Sequence, residues 1–138
     1  MSSQDLKRHT IVTPETQALY DAYRFPQATR VGNMVWVTGQ VGIDANVVPG
    51  KDIIEQSHLA FQNLRAALEA AGATMADVVE IMTFHTDLIA EQHMFNSVKD
   101  EYFPDRYPSW TGVGVSQLAL PELRIEIRAV AVIGCGAA

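Results

Sequence analysis

The stretch Val31-Gly32-Asn33-Met34-Val35-Trp36-Val37-Thr38-Gly39-Gln40 decides the fold. Gly32-Asn33 is a turn signal between two apolar runs. Met34 to Thr38 is rich in β-branched and aromatic residues and is closed by Gly39, so it reads as a strand. Side chains alternate across a strand, which sends Met34 and Trp36 to one face and Val35 and Val37 to the other. Both faces are apolar, and both need cover.

Working outward, His9 to Thr13 and Gln27 to Val31 read as strands, with an irregular aromatic stretch from Glu15 to Pro26 between them. Downstream, Asp52 has the chemistry of a helix N-cap, with Glu55 three residues later. Ile54, Phe61, Leu64, Leu68 and Ala71 recur at helical spacing, so residues 52–71 read as an amphipathic helix closed by Gly72. Thr74 and Asp77 repeat the capping pattern over a single turn, and Val78 to Thr86 is strand-like. Ala90 to Phe103 reads as a second helix, with Met94, Phe95, Val98 and Tyr102 on one face and Pro104 as its stop. Trp110 to Leu118 and Leu123 to Ile133 read as the last two strands. The pattern predicts an α+β layer, a mixed sheet with two helices on one face. The face left bare is apolar, and a second copy of the chain is the economical cover.

The totals agree with one compact domain over residues 1–138. Hydrophobic residues make up 48% and charged residues 19%, ordinary values for a globular protein. The formal net charge of -6 counts against nucleic acid as a partner, because phosphate binding wants a basic surface. Cys135 is the single cysteine, so no internal disulfide forms, as suits a reducing compartment. Met1 to Arg8 is polar and lacks the apolar core of a signal peptide, and no apolar run approaches a membrane span. A cytoplasmic protein with no membrane association is expected.

Several segments together resemble the RidA/YjgF family, also called the endoribonuclease L-PSP family. Phe25-Pro26-Gln27-Ala28 and the decapeptide ending in Thr38-Gly39-Gln40 are similar to the family's Tyr-Ser-Gln-Ala and Gly-Asn…(Ser/Thr)-Gly-Gln motifs. Ala60-Phe61-Gln62-Asn63-Leu64 and Ala70-Ala71-Gly72 resemble its first helix, and Phe84 to Leu88 with Asn96 to Phe103 its next strand and helix. Tyr107-Pro108-Ser109-Trp110-Thr111 stands where the family often has Pro-Ala-Arg-(Ser/Thr), and Ile125-Glu126-Ile127 resembles its closing strand. The resemblance implies a chorismate-mutase-like fold and a homotrimer with clefts between subunits. It also implies hydrolysis of reactive enamines and imines to ketoacids and ammonia, although other members carry endoribonuclease or translation-inhibition names. The Trp110-Thr111 version is similar to the YjgH-like branch.

By that resemblance Glu126 is the catalytic candidate, the glutamate that positions water. Phe25, Gly39, Gln40, Asn96, Trp110, Thr111 and Arg128 are the ligand-binding candidates. Deaminating members pair an arginine with the substrate carboxylate, and a guanidinium fork suits that task. Trp110 offers one donor and no charge, so it either stacks on a ligand or packs at a subunit interface. Phe25 lacks the tyrosine hydroxyl, and Arg128 stands where a second glutamate is common. On the last strand Arg124, Glu126 and Arg128 share one face, so Glu126 is expected to stay ionised between two cations or to join an interfacial ion pair. Arg24, Arg106 and Arg128 are weighed as substitutes for the missing arginine. His85, Asp87 and His93 lack a metal-ligand spacing, and no metal or cofactor is expected.

The expected function is binding or hydrolysis of a small reactive metabolite in inter-subunit clefts of a homotrimer, without the standard 2-aminoacrylate chemistry. Two alternatives stay open: an imine deaminase with a relocated carboxylate anchor, and an endoribonuclease-type activity on RNA.

Overall fold

A computed structural model describes residues 6–137. Residues 1–5 and Ala138, which end the polar start and the cysteine-bearing tail considered above, lie outside the described residues. Six strands form one sheet: β1 (Arg8–Ile11), β2 (Ala28–Val31), β3 (Met34–Val41), β4 (Val78–His85), β5 (Ser109–Gly114) and β6 (Ile125–Val132). Their order is β1-β2-β3-β6-β4-β5. Only β4 and β5, which flank a helix, pair in parallel among these strands; the other pairs are antiparallel. The sheet is therefore mixed, as the pattern predicts.

Three helices accompany it: α1 (Gln17–Tyr23), α2 (Ile53–Ala70) and α3 (Leu88–Tyr102). The count of two is corrected by α1, which lies in the stretch read as irregular. Its seven residues bury nothing, so no apolar stripe marked it; it ends at Arg24 in the left-handed conformation, φ 64°. The capping chemistry at α2 is as the sequence suggests, shifted by one residue at one bond. Asp52 accepts from the Glu55 backbone N–H at 2.9 Å, while the Glu55 carboxylate reaches the N–H of Lys51 rather than of Asp52. Gly72, at φ +92°, takes the left-handed position just past the helix, where a side chain would be strained.

The core lies between the sheet and the pair α2 and α3. Val35, Val37, Ile81, Ile125, Ile127, Ala129 and Ala131 point into it from the strands. Phe61 of α2 stacks on Phe95 and Tyr102 of α3, with ring centroids 5.7 and 4.8 Å apart, and locks the two helices together. Neither α2 nor α3 covers the opposite face. There the row Val41, Glu126, Phe84 and Val113 runs across four strands, and Arg128, Met82 and Thr111 form the next. Trp36 and Met34 extend this face and are 43% and 38% exposed. No helix is long and apolar enough to cross a membrane among the described residues.

Strand boundaries depart from expectation most at β5, which ends at Gly114 rather than Leu118, and at β3. β3 does not end at Gly39 but runs to Val41. Val37 pairs with Ala129 and Gln40 with Ile127, so Thr38 and Gly39 together oppose Arg128. This is a β-bulge, and it lets the strand continue past its glycine.

Candidate functional site

The bulge places Gly39 beneath the side chain of Glu126. A Cβ at Gly39 would lie 2.3 Å from Glu126 Oε2 and 2.7 Å from the carboxyl carbon, so the carboxylate rests where a side chain would otherwise stand. Thr38 locks the bulge to the preceding loop: its hydroxyl donates to the Pro26 carbonyl at 2.7 Å and its N–H to that of Gln27 at 3.0 Å. Phe25, half-buried, directly precedes that anchored segment. Gln40 points to the helix side, is 7% exposed, and gives its amide to Gln27 Oε1 and to the Thr38 carbonyl. Its observed role is to shape the bulge.

Glu126 is not held between two cations, which corrects the sequence expectation. Arg124 turns away to α3, where its Nε meets both Glu91 oxygens at 2.9 and 2.7 Å. Arg128 is exposed and makes no ion pair among the described residues. Sharing a face by alternation does not bring long side chains together when a better carboxylate lies off the strand. Burial instead raises the Glu126 pKa above the ordinary glutamate value.

Trp110 faces the other way. It pairs in register with Ile81, whereas Glu126 pairs with Phe84, three residues on, so the two side chains leave opposite faces of the sheet. The indole packs within its own chain. Its Nε1–H donates to Thr83 Oγ1 at 2.8 Å, and its ring lies 5.9 Å from that of Phe95. Thr83 Oγ1 in turn lies 2.7 Å from His85 Nε2, fully buried. Burial holds the His85 pKa at about 4, so this imidazole is neutral near pH 7. Gly112 leaves room for the arrangement, since a Cβ there would meet Thr83 Oγ1 at 3.2 Å and the indole at 3.4 Å.

Above the indole sits Lys99, its ammonium 4.8 Å from the ring centroid. Its side chain is only 11% exposed, and its one ion pair among the described residues is a 3.5 Å contact with the exposed Asp100. Asn96, one turn earlier on α3, has a buried Oδ1 with no hydrogen-bond partner. Thr111 is exposed on the bare face beside Met82. Of the arginines weighed as substitutes, Arg106 is tied to the Gly136 carbonyl, Arg24 caps α1, and Arg128 stands on the bare face. Sequence reading missed Thr83 and Lys99, and weighed His85 only as a metal ligand. Thr83 and His85 look like plain strand residues, and Lys99 stands directly after Val98 on the apolar stripe. Its four-residue spacing from Phe95 was the one available signal.

The candidates thus fall into two groups. Gly39 and Glu126 meet at the bulge, with Phe25 directly before its anchor at Pro26, while Lys99 and Trp110 meet at the junction of α3 and β5, with Asn96 three residues before Lys99 on α3. Thr111 and Arg128 lie between them on the bare face.

The family model described as Endoribonuclease L-PSP matches residues 15–133. The RutC family protein YjgH of Escherichia coli (strain K12) is 37% identical over 123 residues, covering 88% of this chain and 94% of the relative. A protein of Dermatophagoides farinae named 2-iminobutanoate/2-iminopropanoate deaminase is 34% identical over 111 residues, covering 79% and 85%. A solved structure of the protein YJGH superposes with a TM-score of 0.83 at 38% identity, covering 91% of this chain and 96% of that one.

Proposed function

This chain belongs to the endoribonuclease L-PSP (RidA/YjgF) family, on its YjgH-like branch, and from that premise we propose that it is a homotrimeric protein that binds a small reactive metabolite in clefts between subunits and hydrolyses it there. The observation that carries this reading is Glu126 seated over Gly39, half-buried and without a cation. A carboxylate costs free energy to bury unpaired, and a fold that builds a bulge to accommodate one has a use for it. With its pKa raised, Glu126 is a stronger proton acceptor than an ordinary glutamate. In imine hydrolysis it would take a proton from the water that attacks the C=N carbon. Glu126 would return that proton to the nitrogen, which with the proton of the new hydroxyl leaves as ammonia as the carbon becomes a carbonyl.

The placement of the two groups favours a cleft made by two subunits. Glu126 and Trp110 leave opposite faces of one sheet, so a ligand touching both would meet them from different copies of the chain. The bare face with Trp36, Met34, Met82 and Phe84 is the surface on which copies would assemble. Standard 2-aminoacrylate deamination is disfavoured, because the fork that binds a carboxylate bidentately is absent and Trp110 spends its one donor on Thr83.

The deciding experiment isolates wild-type protein and Glu126→Gln, measures the mass of each in solution, and identifies bound metabolites by mass spectrometry. A trimer that carries a small molecule, consumed by wild type and retained by Glu126→Gln, is the expected outcome. A monomer, or a trimer that neither carries nor turns over any small carbonyl or imine compound, would sink the proposal. RNA cleavage that co-fractionates with the trimer would favour the endoribonuclease reading instead.

A further inference from the structure

We infer that Thr83 and His85 are positioning residues of this site: His85 turns the Thr83 hydroxyl so that it accepts the indole N–H of Trp110, which fixes the ring as a wall whose only donor is engaged inside its own chain. The use of that wall rests on the cleft reading; its geometry rests on which atoms can donate and which can accept.

Trp110 carries one side-chain donor and no acceptor, so it is the donor in its 2.8 Å bond to Thr83 Oγ1. The hydroxyl, having accepted, has its own proton to place. Thr83 is fully buried, so water does not take it. The other hydrogen-bond partner of Oγ1 among the described residues is His85, whose Nε2 lies 2.7 Å away. Burial keeps that imidazole neutral near pH 7, so one ring nitrogen carries a proton and the other accepts. With the proton on Nε2, two donors would converge on one hydroxyl and the Thr83 proton would be stranded. Nδ1 has no partner in either tautomer. The Nδ1–H tautomer therefore strands one polar group, and the Nε2–H tautomer strands two. Nε2 accepts from Thr83, Thr83 accepts from Trp110, and the bonds run in one direction.

The neighbours hold this arrangement in place. A Cβ at Gly112 would lie 3.2 Å from Thr83 Oγ1 and 3.4 Å from the indole Nε1, so any side chain there would crowd the bond. Phe95 meets His85 edge to face at 4.9 Å and tilts against Trp110 at 5.9 Å, so one ring braces both ends of the chain. Thr83 is β-branched and stiff about its first side-chain torsion. Were the three residues only core packing, valine at position 83 and leucine at position 85 would serve as well, with no buried polar atom left unmet. What histidine adds over leucine is the acceptor at Nε2. A wall fixed in this way offers a ligand a ring surface and no hydrogen bond, so at this point the cleft discriminates by shape and apolar contact.

The test is NMR of the full chain at pH 7, with Trp36→Phe, which removes the other tryptophan, assigning the Trp110 indole. Long-range nitrogen–proton spectra should show the Nδ1–H tautomer of His85 in excess by about fivefold or more, the worth of one hydrogen bond. Solvent exchange of the Trp110 indole proton should be about tenfold faster in Thr83→Val and close to wild type in Thr83→Ser. His85→Leu should speed it by about fivefold, and His85→Gln, whose amide oxygen can stand in for Nε2, should restore it. Acrylamide quenching of Trp110 in the Trp36→Phe background should steepen in the same order. The backbone amides of Val35 and Ile127, in the core, report in the same samples whether the fold is intact. An Nε2–H tautomer in the protein without substitutions at these positions would overturn the direction of the bonds, and that measurement needs no variant of either residue. Indole exchange unchanged in Thr83→Val, or faster only in step with the core amides, would overturn the positioning role. Wild-type exchange in His85→Leu would overturn the part given to His85. None of these readouts involves a ligand or a subunit count, so their failure is distinct from failure of the cleft reading.

Discussion

Gly39→Ala isolates the placement of Glu126 from the stability of the fold. Gly39 has no positive φ, so alanine is compatible with the backbone there. The obstacle is the Glu126 carboxylate, 2.3 Å from where the new Cβ would lie, against the roughly 3.4 Å at which ordinary contact begins. The carboxylate is the free end of a flexible side chain, so it will yield by about 1 Å and the strands will not. Stability should change by no more than about 1 kcal/mol, because alanine also reduces the freedom of the unfolded chain. Any hydrolysis that uses Glu126 should fall by about 100-fold, the usual cost of misplacing a reacting group by that distance and roughly 2.7 kcal/mol of barrier. The carboxyl also moves toward water. Carbon-13 NMR of the Glu126 side chain should therefore show its raised pKa falling back toward 4.5. A Glu126 titration identical in the two proteins, with unchanged turnover, would refute the claim that the bulge glycine sets the carboxylate's position.

The remaining predictions concern the core and the assembly. His85 is held neutral, with its pKa lowered from 6.5 to about 4, so its contribution is complete above pH 6.5 and is lost as pH falls toward 4; denaturant titrations across that window should lose up to about 3 kcal/mol, and His85→Gln should flatten the dependence. Glu126 has the opposite sign: its raised pKa means that stability falls as pH rises above 4.5 and through the folded-state value, so Glu126→Gln should be the more stable protein at pH 7 by urea melts. Phe61→Ala should cost about 3–5 kcal/mol in the same assay, since Phe61 is fully buried and stacks on both Phe95 and Tyr102. Trp36→Glu should fold as well as wild type yet sediment as a monomer, because it places a charge at the centre of the bare face; a trimer of undiminished stability would show that copies meet elsewhere.

Periodicity carried the elements that bury a face. The alternation in Met34 to Val37 and the stripe from Phe61 to Leu68 gave β3 and α2 to within a few residues, although Ile54, counted in that stripe, is 45% exposed and Ile53 is buried in its place. Helix α1 escaped because it buries nothing, and β5 was drawn too long because only Ser109 to Gly114 finds a partner strand. The continuation of β3 through Gly39 was hidden because a bulge is set by the partner strand, not by the residues in it. Within the site, Glu126, Gly39 and Asn96 were legible through resemblance, but their surroundings were not. No pattern says that Arg124 prefers Glu91 to Glu126, or that Trp110 leans inward onto Thr83. Those choices are made by side chains brought together from distant positions. Lys99 is the clearest case: its covered position arises from a tryptophan eleven residues later and on another element.

The opposed faces of Glu126 and Trp110 have a genetic consequence. If each cleft takes its carboxylate from one copy and its tryptophan from the next, then Glu126→Gln and Trp110→Ala are lesions in different halves of a shared site. Two inactive proteins mixed before assembly would then rebuild some intact clefts, in which a good carboxylate from one allele meets a good indole from the other. Each variant alone would never do so. The same division makes either lesion partly dominant over wild type, because one faulty copy in a ring spoils a cleft whose other half is sound.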